Sequence, residues 1–162
     1  MSLDARSLAN YLLDRADARE IPLTNLALNK ILYFCHAWHL AKFGQPLLAT
    51  RFEAWDHGPV VPSVYHQFKG NKERPISNRA TRIDLESGKD IVASGHFQGD
   101  LAEFLESMLS FYGPRPGSVL RNMSHEPGAP WDVVRESGGA GMFIPDSLIA
   151  EYFSERLKAR NN

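Results

Sequence analysis

Leu28-Asn29-Lys30-Ile31-Leu32-Tyr33-Phe34-Cys35-His36-Ala37-Trp38-His39-Leu40-Ala41 is the stretch on which the fold turns. Leu28, Ile31, Leu32, Cys35, Trp38 and His39 recur at the spacing of one helical face, and Tyr33 and Phe34 widen that face until apolar groups nearly surround the helix. Such a helix has to be central, because only elements packed around it can keep it from water. Its ends are also marked. Thr24 is an N-cap, Leu23 and Leu28 flank it as a hydrophobic staple, and Gly44 followed by Pro46 supplies the stop.

On the N-terminal side, Asp4 caps a first helix to about Asp17, with Ala5, Leu8, Leu12 and Ala16 forming its buried stripe. Glu20-Ile21-Pro22 breaks it. On the C-terminal side, Phe52-Glu53-Ala54-Trp55 alternates as a short strand does, and Asp56-His57-Gly58-Pro59 demands a turn. Pro62 opens a helix to about Lys69 with Val64, Tyr65 and Phe68 on its apolar side. Between Gly70 and Gly99 the chain turns polar, and Arg82 to Glu86 could pair with Ile91 and Val92 as a small hairpin.

Further on, Asp100 as cap introduces a helix through Leu101, Phe104, Leu105, Met108 and Tyr112, ending at Gly113-Pro114. A shorter helix through Val119, Leu120 and Met123 precedes the proline-rich loop Ser124 to Pro130, which leads into Trp131. A last helix buries Leu148, Ile149, Tyr152, Phe153 and Leu157. The expected fold class is mainly α: one compact domain over residues 1–162, about six helices, and a small β-hairpin or short strands between the central ones.

Composition is that of an ordinary globular chain, with 43% apolar and 23% charged residues, and a net charge of −1 gives no global attraction to nucleic acid or to an anionic membrane. The single cysteine, Cys35, excludes an internal disulfide and multi-cysteine zinc sites, and a lone thiol suits a reducing compartment. The N-terminus is charged where a signal peptide is apolar, and no apolar run approaches the roughly 18 residues of a membrane span. The expected setting is cytoplasmic.

The chemistry-bearing residues admit three classes of function. His36 and His39, with His57 or His125, could ligate a metal in a hydrolase, but the first pair lacks the i, i+4 spacing and intervening glutamate of zinc-helix motifs. Cys35 and His39 are spaced for a thiol–imidazole pair, yet the thiol lies in the apolar stripe, where cysteines pack and do not react. Lys69, Lys72, Arg74, Arg79 and Arg82 form a local basic patch that could meet nucleic acid, without interleaved aromatics for stacking on bases. The third class is protein binding. Trp38, Trp55 and Trp131 lie at or beside turns, and aromatic residues are enriched in interface hot spots.

Three segments in order carry a family resemblance: Leu28 to Ala41, Gly44-Gln45-Pro46-Leu47, and Phe52-Glu53-Ala54-Trp55-Asp56-His57-Gly58-Pro59-Val60-Val61-Pro62-Ser63-Val64-Tyr65. Ser124-His125-Glu126-Pro127-Gly128-Ala129-Pro130-Trp131 and an isoleucine-led closing helix from Ile144 to Phe153 add to it. Together they resemble the Panacea domain, the family of SocA-like antitoxins and phage-associated proteins. The resemblance implies a helical, non-catalytic domain without cofactor or metal, whose partner is a cognate protein toxin neutralised by direct contact. It also implies a second route, in which the bound toxin is handed to a cellular protease. The expected contact residues are Trp55, His57, Tyr65 and Trp131, which combine large contact area with polar handles. The segment from Gly70 to Gly99 matches no family pattern and is the expected seat of partner specificity.

Overall fold

The computed structural model describes residues 2–139 and 141–161. Helix α1 (Ala5–Ala18) and helix α2 (Asn25–Phe43) come first, followed by strands β1 (Phe52–Trp55) and β2 (Gly58–Val60) and helix α3 (Pro62–Phe68). A single 3-10 turn leads to the hairpin β3 (Thr81–Ile83) and β4 (Asp90–Val92). Helices α4 (Gly99–Tyr112), α5 (Gly117–Ser124) and α6 (Pro130–Glu136), strand β5 (Phe143–Ile144) and helix α7 (Asp146–Arg160) complete the order. The mainly helical expectation holds, with seven α-helices among the described residues. None of them is long and apolar enough to cross a membrane.

Helix α2 is the axis of the domain. Every residue from Ala27 to Ala37 is buried, because α7, α5, α4, α3, α1 and β2 all pack on it. Full burial of a Leu or Ile side chain is worth about 1.5–3 kcal/mol, and Leu28, Ile31 and Leu32 are each fully buried here. The ends are those read from the sequence: Thr24 Oγ1 accepts from the Ala27 N–H, and Gly44 closes the helix in the left-handed conformation. Around the middle, Phe34 stacks on Tyr112 of α4 at 4.4 Å, and Tyr33 meets Phe52 and Phe153 edge to face.

Three of the four buried polar side chains of α2, Asn29, Lys30 and His36, position the chain that follows it. Asn29 donates to Asn25 and accepts from the Val61 N–H at 3.1 Å, fixing the entry to α3. His36 accepts from the Leu48 N–H through Nδ1 and donates through Nε2 to Asp146 at the start of α7, at 2.8 Å. Lys30 donates to the Pro59 carbonyl at 2.8 Å.

Strands β2, β1 and β5 form a three-stranded antiparallel sheet in that order. Phe52, Ala54 and Ile144 are buried while Glu53, Trp55 and Phe143 face outward, as the alternation of a half-buried strand requires. The hairpin β3–β4 is a separate sheet whose base rests on α1: Asn10 donates to the carbonyls of Ala80 and Ala93 and accepts from the Ala80 N–H.

Three expectations need correction. Asp100 lies in the first turn of α4 and not at its cap, which is Gln98; the helix begins at Gly99, whose φ of 63° only glycine takes readily. The proline-rich loop ends one residue early: Pro130 occupies the first turn of α6, where its missing N–H costs nothing, so Trp131 follows the loop as expected but within a helix that runs on to Glu136. Ile144 does not lead the closing helix. It pairs with Phe52 in the sheet, and Pro145 then precedes α7 as its N-cap.

Candidate functional site

The β1–β2 turn and the start of α6 meet at one edge of the sheet. Trp55 is the hub. Its ring packs edge to face against Tyr65 of α3, with centroids 4.8 Å apart, its Nε1–H donates to Glu53, and its carbonyl accepts from Trp131 Nε1 at 2.7 Å. Arg135, one turn on from Trp131, lies over the Trp131 ring, donates to the Ala54 carbonyl, and pairs with Asp56 at 2.7 Å. Tyr65 and Trp131 are therefore both fixed against Trp55, while His57 stands exposed in the turn between the strands. The four residues expected from the sequence come together at one edge, with the exposed Phe143 of β5 on the same outward face of the sheet as Trp55. Trp38 is elsewhere, its Nε1–H bonded to Tyr112 between α2 and α4.

Behind this edge lie Lys30, Arg121 and His125, of which sequence reasoning weighs only His125. Gly58 adopts φ +109°, and a Cβ there would come within 2.5 Å of Lys30 Cε, 2.8 Å of Ser124 Oγ and 3.2 Å of His125 Nε2. Only glycine fits, on both conformation and space. The His125 ring lies flat on Trp131, centroids 3.5 Å apart and planes 6° from parallel. Burial, with Arg121 close by, pulls the Lys30 ammonium down to about 7. Burial and the cations Arg121, Lys30, Arg135 and His57 pull the His125 imidazole down to about 4. A signal for Lys30 was present in the sequence, since it is the one charged residue between Leu28 and Ala41. Arg121 gave none, because a long-range approach of α5 to α2 leaves no local pattern.

The other histidines go to different places. His36 is held by Leu48 and Asp146, and His39 bonds the Gln45 carbonyl. Among the described residues no three His, Cys, Asp or Glu side chains are grouped to hold a metal, so His36, His39, His57 and His125 do not converge as the hydrolase alternative requires. Cys35 is fully buried, and burial pushes its thiol well above the usual range, away from a thiolate nucleophile. Of the basic patch, Arg79 is engaged by Asp14 and Asp17 of α1.

A profile of the antitoxin SocA-like, Panacea domain family matches residues 28–132, which run from Leu28 in α2 to Asp132 in α6. The antitoxin SocA of Caulobacter vibrioides (strain NA1000 / CB15N) is 43% identical over 156 residues, covering 94% of this chain and 83% of its own. No solved structure matches. With a family profile over most of its length and a relative this similar from end to end, the chain belongs to the SocA-like, Panacea-domain family of antitoxins.

Proposed function

We propose that this protein is the antitoxin of a toxin–antitoxin pair and neutralises a cognate protein toxin by direct contact. The observation that carries the proposal is its 43% identity, over 94% of the chain, to a protein named as an antitoxin. The contact face is the edge formed by Trp55, His57, Tyr65 and Trp131. Two features support that choice. Each indole N–H at the edge is already bonded within the domain, so the rings are held in one orientation before a partner arrives, and preorganised aromatic groups lose little freedom on binding. The protruding β3–β4 hairpin, with Leu85 95% exposed and Ile83 and Val92 also uncovered, offers a second contact that would set which toxin is met.

The test is co-expression with the product of each neighbouring gene. One neighbour should arrest growth alone and not when this protein is present, and the two should co-purify. Failure of rescue by every neighbour, with no complex recovered, refutes the proposal. Following the toxin's level in the same cells separates two routes: a constant level means blocking, and a protease-dependent fall means delivery to a cellular protease.

A further inference from the structure

Lys30, Arg121 and His125 share a structural peculiarity. Lys30 is wholly buried at 0% exposure, and the Pro59 carbonyl is the acceptor its ammonium reaches. Arg121 Nε and His125 Nε2 are shut off from solvent and have no hydrogen-bond partner at all. Buried donors are nearly always satisfied, and the exceptions call for a reason. Charge compounds the anomaly, for neither Lys30 nor Arg121 takes part in an ion pair among the described residues. The acids nearest in sequence are engaged elsewhere: Glu126 with Arg156 and Tyr152, Asp132 with the Gly128 N–H, and Asp56 with Arg135. Lys30 and His125 therefore flank Gly58, with Arg121 close to both, and no acid is paired with any of them.

We propose that Lys30, Arg121 and His125 form a receptor for a carboxylate, supplied by an aspartate or glutamate side chain of the protein partner. This rests on the toxin-binding reading and deepens it. The ligand class follows from the donor set. A buried lysine beside an arginine whose Nε is buried without a partner, neither with a counter-ion, favours an anion, since hydrogen bonds between ionised groups are about twice as strong as neutral ones. Space beside Gly58 is short, since even a Cβ there would come within 2.8 Å of Ser124 Oγ, and a flat carboxylate needs less room than a tetrahedral dianion. Entry is from the side of Arg121 and His125, both partly exposed, and the Trp131 ring stacked on His125 forms one wall. The receptor thus opens beside the aromatic edge, so one partner surface can reach both.

Sodium acetate is the probe for the isolated protein, titrated against sodium chloride at matched ionic strength, with inorganic phosphate as the tetrahedral comparison. The His125 ring nitrogens are followed by NMR. Acetate should give a saturable shift of Nε2 that disappears in Lys30→Met and Arg121→Met, whose melting curves confirm folding. No saturable shift, an equal shift in the variants, or a response to phosphate and not to acetate overturns the carboxylate receptor. In cells, Arg121→Met should lose at least tenfold in rescue of toxin-arrested growth. Full rescue by Arg121→Met overturns the receptor's role in toxin binding and leaves the antitoxin reading intact. Absence of rescue by the wild type refutes that reading instead, while the acetate titration still reports on the receptor.

Discussion

Replacing Lys30 by Met removes the side chain whose burial is hardest to reconcile with stability alone. In the unfolded chain a lysine ammonium titrates near 10.4, whereas in the fold Lys30 is pulled down to about 7 by burial beside Arg121. Between those values the unfolded chain holds more protons than the folded one, so wild-type stability rises with pH across this window and is lowest at and below about 7. At about 1.4 kcal/mol per pKa unit, the penalty near neutrality is about 4 kcal/mol, and raising the pH to about 9.5 relieves about 3 kcal/mol of it. Methionine fits the same volume without a charge and should remove that slope. It also leaves the Pro59 carbonyl without its lysine donor, a loss of about 1–3 kcal/mol. The variant should therefore be more stable than wild type by about 1–3 kcal/mol at pH 7 and equal or less stable near pH 9.5. Urea unfolding at the two pH values measures both numbers, below the range where Tyr33 and Tyr112, raised by burial, begin to oppose the trend. A wild type whose stability is flat from pH 7 to 9.5, or a variant that keeps the wild-type slope, would refute the account.

Gly58→Ala forces a side chain into a positive φ and against Lys30 Cε, and should cost about 2–5 kcal/mol in urea unfolding. Trp55→Ala should weaken toxin binding by about 10- to 100-fold in calorimetry, the range of an interface hot spot, with the helical circular dichroism unchanged. His36 is held neutral, pulled down by burial against the opposing pull of Asp146, so its contribution is lost as pH falls below about 6.5, the unfolded value. Stability should decline between pH 6.5 and 5, and less steeply in His36→Asn. Asn10→Ala should leave the helices intact while the amides of β3 and β4 lose their protection from hydrogen exchange.

What was legible in the sequence was what depends on periodicity and on local stop signals. Helix α2 could be read from Thr24 to Gly44 because its caps and its apolar circumference lie within the chain itself. The hairpin and the short helices α3 and α5 were visible for similar reasons. The misplacements have a common cause. Asp100 looked like a cap because its chemistry suits one, but α4 starts one residue earlier, at Gly99. Ile144 looked helical beside Leu148 and Ile149, but its place is set by Phe52, far away in the chain. At the candidate site, Trp55, Tyr65 and Trp131 were identifiable as aromatics near turns, although not that a single indole bond joins two of them. Lys30 was overlooked because an amphipathic reading lets a lysine snorkel to the surface. On a helix enclosed on every side there is no surface to reach.

Asn10 carries an implication for how the domain can change. It grips the hairpin by main-chain atoms alone: two carbonyls and one N–H at Ala80 and Ala93, both fully buried. A clamp of that kind is blind to spelling. It asks for small residues at the two gripped positions and for nothing in particular between them, so the intervening loop can be rewritten like an exchangeable tool head without retuning the handle. A scaffold meant to face a new adversary would need to edit only what lies beyond the clamp.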